Sequence, residues 1–559
     1  MLQNSRPIVG ALANDSPGIQ LRYWAETRPD AAFAACGRDW ISYGELDGRA
    51  RRLAGGLRAL GLRPGDRVAA VIPNRDEFLD LLFANLIAGY VTVPLNTYLR
   101  GDFLSFQLMD CSATVAVVDS AGFAELSMVA AACLQLRHVI ALNSNDQAET
   151  TLRENRPDVM VHRMSDVMAG PSIDAIQSSG TDLAAILYTS GTTGMPKGCM
   201  ISHGYMGSRL DPWANAGWIA PGDVLMTPMP LFHGGAMLCI LMPALQAGLK
   251  AAFDPAFSAR GFTKRAAEIG ATFTWMPGAM AIAVLQTPAV SHDRSHAMQR
   301  CACNPLRPDL QLQFEQRFGV KVLTRVFGQT ELVPVVVGPP ARTMAERSNS
   351  GKAVPGVEVT LVDDAGHPCP TGTVGEIVVS STDTSQIFSG YWGAQPLRVV
   401  DGKTVHATGD LGQFDENGCL SFVDRKKDSI RRRGENVSAY ELELSISQFP
   451  GVENVAVHAV TSELGEDEIK ACIVAVTPGT IVPDELFDFL KKAVPYFAVP
   501  RFVEVMQKLP TNAMGRVMKE NLRARGVGQS WDFEAMGLSV SKTDRRAAGS
   551  GKQSCDTRA

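Results

Sequence analysis

YTSGTTGMPKG, residues 188–198, follows directly on the apolar run Leu183–Leu187. All but Tyr188 and Met195 are Gly, Ser, Thr, Pro or Lys. A Gly-rich turn after a strand exposes successive backbone N–H groups that can surround phosphate oxygens. Thr and Ser hydroxyls add donors, and Lys197 adds a positive charge. A generic Gly/Ser/Thr cluster is a solvated surface loop, but this string is far more specific. A Walker A loop needs Gly directly before the Lys and Ser or Thr directly after it. Here Pro196 precedes Lys197 and Gly198 follows, so the P-loop NTPase reading fails.

Upstream, strands and helices alternate. Ser42 and Glu45 make a capping-box pattern, in which hydroxyl and carboxylate satisfy free donors at a helix start. Apolar residues recur at Tyr43, Leu46, Ala50, Leu53, Leu57 and Leu60, one face of a helix, with Gly61 as its cap. Arg67–Ile72 reads as a buried strand, Glu77–Ile87 as a helix and Tyr90–Pro94 as the next strand. Strand patterns return at Val115–Val118, Val139–Leu142 and Ala184–Tyr188. This rhythm implies parallel sheets with helices packed on them.

Downstream, from Ser350, short strands separated by Gly and Pro turns suggest a β-rich subdomain. The charge run DRKKDSIRRR, Asp424–Arg433, comes next. Beyond it a helix near Tyr440–Gln448 and a strand at Val455–Val460 indicate a small α/β segment. The expected organisation is an N-terminal domain over 1–423, a C-terminal domain over 424–535 and a disordered tail over 536–559.

Composition narrows the class. The chain has 559 residues, 45% hydrophobic and 20% charged, enough for a sizeable core. Lys+Arg 53 against Asp+Glu 58 gives a net charge of −5, which does not fit a general nucleic-acid binder. The N-terminus lacks a basic start followed by an apolar run, so it does not read as a secretory signal. The greasiest stretch, Gly235–Leu249, is broken by Pro243 and Gln246 and falls short of the roughly 20 apolar residues of a membrane span. Eleven scattered Cys fit buried thiols in a reducing compartment, and a cytoplasmic protein is expected.

YTSGTTGMPKG resembles the phosphate-binding signature of the adenylate-forming enzymes, which include acyl-CoA synthetases, luciferases and peptide-synthetase adenylation domains. PLFHGG (230–235), FGQTE (327–331), TGD (408–410) and DRKKDSIRRRGENV (424–437) resemble further motifs of that superfamily, in its order. Within it, the nearest group is the carnitine/crotonobetaine–CoA ligases. The fold implied is α/β: a large N-terminal domain of two αβ sheets plus a β-barrel, hinged to a small C-terminal α/β domain. The activity implied is an ATP-dependent acyl-CoA ligase, with ATP and CoA as substrates, Mg²⁺ as cofactor and a small-molecule carboxylic acid as partner. A homodimer stays open.

By the same resemblance, Thr189, Ser190, Gly191, Thr192, Thr193, Gly194 and Lys197 hold phosphates. Asn304, Phe327, Gly328 and Gln329 surround the nucleotide, with Phe327 offering a ring to adenine. Thr330 contacts the α-phosphate and Glu331 helps to bind the metal. Asp410 accepts the ribose hydroxyls, and Arg425 is a second ribose or phosphate contact. His233 marks the acyl pocket floor, with Gly235, Cys239, Trp275 and Val335 as further lining. Lys427 is the hinge pivot, while Gly434 and Arg431 flank a CoA tunnel, with Arg432 and Arg433 as further phosphate partners.

Two departures stand out. LPTNAMGRVMKENLR (509–523) resembles the segment that carries the family's adenylation lysine, but Arg516 stands at that position. Arg516 or Lys519 fills the role, and guanidinium and ammonium are not interchangeable. Cys301-Ala-Cys-Asn-Pro305 replaces a small-residue run such as Gly-Gly-Ala-Pro, so adenine pose or acyl shape is expected to differ. A non-catalytic adenylate binder, transfer to a free-standing carrier protein and luciferase-like oxidation are the alternatives.

Overall fold

The capping box forms as its residues demand. Glu45 N donates to Ser42 Oγ at 3.2 Å, and Ser42 N donates to Glu45 Oε2 at 2.8 Å. The helix they start, Tyr43–Ala59, buries Tyr43, Leu46, Ala50, Leu53 and Leu57. A second side is buried as well, because Gly55 and Gly56 let other backbone pass close. A Cβ at these positions would lie 1.7 Å from Pro171 O and 1.9 Å from Val167 O.

The computed structural model describes residues 16–37, 39–189, 196–426, 429–432, 435–461, 467–494, 498–511 and 517–540. The chain divides into two units. The first is Met1–Thr360 with Val378–Thr408 and Asp415–Ser421; the second is Leu361–Ile377, Gly409–Phe414 and Phe422–Ala559.

The first unit contains two seven-stranded sheets. In one, the order is Met160–Arg163, His138–Ala141, Val115–Val118, Arg67–Val71, Val91–Pro94, Leu183–Thr189, Lys197–Ser202. Its pairs are parallel except the last, an antiparallel hairpin. In the other, the order is Lys321–Leu323, Arg300–Asn304, Phe273–Pro277, Val224–Thr227, Lys250–Phe253, Ala32–Ala35, Ile41–Ser42. Parallel strands buried on both faces need continuous apolar runs, and Val115–Val118 and Val91–Pro94 are buried throughout. The apolar stretch Gly235–Leu249 forms a short helix, a π-helical turn over Met237–Leu241 and a helix Met242–Ala247 that begins around Pro243. Among the described residues no helix is long and apolar enough to cross a membrane.

The β-rich part consists of a three-stranded sheet, Val326–Gln329, Leu332–Val337 and Lys352–Ala353, and a five-stranded sheet. The latter runs Glu358–Val362, Gly375–Ser381, Lys403–Phe414, Arg398–Val400, with Leu420–Arg425 also on Lys403–Phe414. The second unit's own sheet orders Val452–Thr461, Asp467–Ala475, Phe502–Met506 and Trp531–Asp532. Helices Ala439–Ile446 and Pro483–Ala493 join its core through Leu442, Ile446, Leu486 and Leu490. Leu538 and Val540 pack against that core, so the start of the expected tail belongs to it.

Candidate functional site

The phosphate turn is the loop of a hairpin whose arms pair from Thr189 opposite Lys197. Ser190, Gly191, Thr192, Thr193 and Gly194 lie outside the described residues. The arms are anchored on both sides of the loop. Tyr188 donates its hydroxyl proton to Asp110 Oδ2 at 2.5 Å, and burial pushes the phenol's pKa up. Thr189 Oγ1 lies 3.7 Å from Cys199 Sγ. At Gly198 a Cβ would meet Ile186 Cγ2 at 2.6 Å, so the strand passes where no side chain fits. Lys197 is exposed.

Thr330 and Glu331 form the tight turn between Val326–Gln329 and Leu332–Val337. Tyr205, fully buried, clamps this turn: its hydroxyl donates to Thr330 O at 3.1 Å and accepts from Val333 N at 2.9 Å. The Arg209 guanidinium stacks 4.1 Å from the Tyr205 ring centroid and donates to Val333 O at 2.6 Å. Glu331 is 7% exposed, and its Oε1 accepts from the Tyr391 hydroxyl at 2.7 Å. Burial, then the Glu331 charge, raises the Tyr391 pKa, so the phenol keeps its proton. The Lys197 ammonium lies 5.3 Å from the Tyr391 ring centroid. Gln329 Nε2 donates to Thr408 O at 2.9 Å. Gly328 is exposed, whereas Phe327 is 6% exposed, which leaves adenine little ring face to stack on.

His233 opens the short helix Gly234–Ala236, and its Nδ1 accepts from Gly235 N at 3.0 Å. The ring is accessible, yet the protein around it disfavours the charged form and lowers its pKa. Gly234 brings this element against the Thr-Glu turn, since a Cβ there would lie 3.3 Å from Thr330 Oγ1. At Gly235 the space is taken by Met229, whose Cε would be 2.9 Å from a Cβ. Trp275 is half-buried and meets Trp213 edge-on at 4.8 Å. Cys239 and Val335 are buried at 2% and 0% exposure, so they act only through packing. Burial pushes the Cys239 thiol up to about 12.

Asn304 ends its strand and donates from Nδ2 to Val326 O at 3.2 Å. Cys301 and Cys303 are fully buried in the core with Met276, Met298 and Phe314. The Cys303 side chain faces the core, so any influence on adenine pose or acyl shape would run through packing.

In the second unit, Asp410 is 4% exposed and lies 3.6 Å from Arg425 Nε. Lys427, Gly434 and Arg516 lie outside the described residues, and Arg431 is placed only as part of the strand Ser429–Arg432. Arg432 corrects the reading of the charge run. It is 2% exposed, its Nε sits 2.7 Å from Glu468 Oε2, and it donates to Val499 O at 2.5 Å, so it is a buried strut. Lys519 opens the helix Lys519–Arg523 and pairs with Glu443 Oε1 at 2.8 Å.

The sequence reading missed Tyr391, Tyr205 and Arg209. Tyr391 sits between Gly390 and Trp392 in a turn-rich stretch with no periodicity, so its only signal is an aromatic pair flanked by glycines.

The donor set fits Mg²⁺ carried with a nucleotide. Magnesium is commonly held by one or two carboxylates plus substrate phosphates. Glu331 would be one such carboxylate, and among the described residues no group of three His, Cys, Asp or Glu gathers to hold a metal by itself.

Two α/β sheets, a phosphate-turn hairpin and a clamped Thr-Glu turn are features of an adenylate-forming enzyme. The chain belongs to the AMP-binding enzyme family: that family's model matches residues 21–392, and the model for the AMP-binding enzyme C-terminal domain matches residues 441–516. It is 31% identical over 494 residues to the crotonobetaine/carnitine–CoA ligase of Salmonella paratyphi A, covering 86% of this chain and 93% of the relative. The structure of ATP-bound MatB from Rhodopseudomonas palustris matches with a TM-score of 0.77 at 28% identity, covering 91% of this chain and 98% of that one. A benzoate CoA ligase from Burkholderia xenovorans LB400 shares the fold with a TM-score of 0.77 at 24% identity, over 91% of this chain and 99% of that one.

Proposed function

We propose that this chain is an AMP-forming acid–thiol ligase acting on a small-molecule carboxylic acid. In the first step a carboxylate oxygen bonds to the α-phosphorus of ATP, and the bond to the β-phosphate oxygen breaks to release pyrophosphate. In the second, the CoA thiolate bonds to the acyl carbon and AMP departs, leaving the thioester. Both partners of the first step are anionic, so the chain must gather positive charge and hold the reactants in line.

The observation that carries the reading is the row Lys197–Tyr391–Glu331, with Thr330 beside Gly234 at the start of the His233 element. Lys197 and the turn 189–194 bind phosphates, and Thr330 donates to the α-phosphate. Glu331 is the carboxylate for Mg²⁺, which when bound neutralises phosphate charge and stabilises the departing pyrophosphate. Asp410 accepts the ribose hydroxyls, and Arg425, 3.6 Å from it, is a second ribose or phosphate contact.

Arg516 supplies the adenylation cation. In support, Lys519, the other candidate, is already paired with Glu443. Residues 424–535 turn about Lys427 between the two steps, with Gly434 and Arg431 along the CoA path. A cytoplasmic location is supported by the ten cysteines among the described residues, all free.

The test is AMP and pyrophosphate release with MgATP over a panel of carboxylic acids, with and without CoA. Acid-dependent AMP release, with thioester only when CoA is present, is expected. ATP binding without turnover on any acid would favour a non-catalytic binder. Thioester formation only on a carrier protein would reassign the acceptor.

A further inference from the structure

The segment 388–392 is laced by its backbone to both parts of the phosphate site. Phe388 N donates to Glu331 O at 3.0 Å. Ser389 N donates to Met200 O, and Met200 N to Gly390 O, each at 2.9 Å. Trp392 N donates to Gly198 O at 2.8 Å, while its ring Nε1 donates to Asp110 O at 2.8 Å. Tyr391 is thereby fixed between the strand that carries Lys197 and the turn that carries Glu331. Its ring also meets Phe388 edge-on, 4.9 Å between centroids.

Opposite charges at a part-buried site attract more strongly than in bulk water, so a lysine and a glutamate with nothing between them can close into an ion pair. Such a pair would consume the carboxylate and draw the ammonium away from phosphate. Among the described residues Lys197 has no carboxylate partner. It faces an aromatic ring, which attracts a cation yet offers no single atom that captures it. The phenol in turn gives one charge-assisted hydrogen bond to one oxygen of Glu331, which orients the carboxylate while leaving its second oxygen outside that bond.

We propose that Tyr391 is a positioning residue that holds Glu331 toward the metal and Lys197 toward the phosphates, and keeps the two from closing on each other. The inference rests on the ligase reading above, because it assumes that MgATP binds at this row.

The experiment is calorimetric titration of the full chain with ATP, with and without Mg²⁺. Tyr391→Phe keeps the ring and removes only the hydroxyl. It should weaken MgATP about fivefold to tenfold while leaving metal-free ATP nearly unchanged. Tyr391→Leu removes the ring as well and should weaken both. In a Glu331→Gln background, Tyr391→Phe should add little, because the bond it removes has lost its charged acceptor. Tyr391→Phe binding MgATP like the parent, losing affinity equally with and without metal, or adding its full effect in the Glu331→Gln background would overturn the proposal. A parent chain that fails to bind MgATP at all would remove the ligase reading together with this inference. A parent that binds, with unresponsive variants, removes the inference alone.

Discussion

Lys519→Met separates a structural cation from a catalytic one. Lys519 Nζ pairs with Glu443 Oε1 at 2.8 Å, with the two side chains 17% and 19% exposed. The same carboxylate oxygen accepts from Val457 N at 2.7 Å, so among the described residues the variant leaves Glu443 with one backbone donor and no counter-charge. Breaking a fully buried pair costs about 3–5 kcal/mol, and an exposed pair is worth about 0.2–1 kcal/mol. With about a fifth of each side chain in water, the loss is about 2 kcal/mol, or roughly 10 °C in the melting midpoint of the C-terminal unit. Burial raises the Glu443 carboxyl above its ordinary value, and Lys519 opposes that rise. Removing the lysine lifts the carboxyl further, so the folded chain binds a proton that the unfolded chain does not. The deficit therefore shrinks as pH falls toward the ordinary carboxylate range. Adenylation, followed as acid-dependent pyrophosphate exchange well below the lowered midpoint, should stay near the parent rate. Unchanged melting with adenylation lost by orders of magnitude would refute this reasoning and make Lys519 the catalytic cation.

The complementary variant, Arg516→Ala, should depress adenylation by about 10²–10³ while sparing thioester formation from supplied acyl-AMP, read by single-turnover product analysis; equal loss in both steps would contradict the assignment. His458 is fully buried, and its pKa is lowered from 6.5 to about 4, chiefly by burial. A depressed folded pKa contributes stability that is complete above about 6.5 and lost as pH falls through about 4, about 3 kcal/mol in all. Urea midpoints of His458→Gln should therefore fall less steeply over that range than those of the parent, and an identical slope would assign the acid loss elsewhere. At Gly278 a Cβ would sit 1.7 Å from Pro305 O, and backbone cannot yield as a side-chain tip can. Gly278→Ala should cost about 3 kcal/mol or more by denaturant titration; a near-parent midpoint would mean that the strand end relaxes freely.

Local patterns announced the local structure. The helix after Ser42 and the strands Arg67–Val71, Val91–Pro94 and Val115–Val118 appear within a residue or two of where periodicity and capping put them. Strand order was not readable, because it depends on partners far along the chain. Ala32–Ala35 pairs with Lys250–Phe253, and no short-range pattern links them. The site divides in the same way. Motifs marked Thr330, Glu331 and the stretch around Lys197 as site candidates, and the structure sets Thr330 and Glu331 in a turn and Lys197 on a hairpin arm, neither of which the sequence announced. Tyr391 and Tyr205 act through single hydroxyls on groups distant in sequence, and nothing in their own neighbourhood marks them. Arg432, expected as a further phosphate partner, is instead buried beside Glu468, which comes from a strand distant in sequence.

The Cys301–Pro305 run shows why a departure in a motif has to be read by face. In a strand, neighbouring side chains point to opposite sides, so substitutions at positions two apart share a fate. Cys301 and Cys303 both enter the core between Met276, Met298 and Phe314, where a thiol behaves as a small apolar group. Burial raises the Cys301 thiol well above its usual range, so it stays protonated there. Of the larger residues in this run, only half-buried Asn304, at the strand end, has a polar group outside the core, and its amide is already committed to Val326 O. That bond ties the end of the second sheet to the strand leading into the Thr-Glu turn. The two thiols thus belong to core packing, and the row Lys197–Tyr391–Glu331 includes no residue of the run, which argues against reading the run as a mark of lost activity.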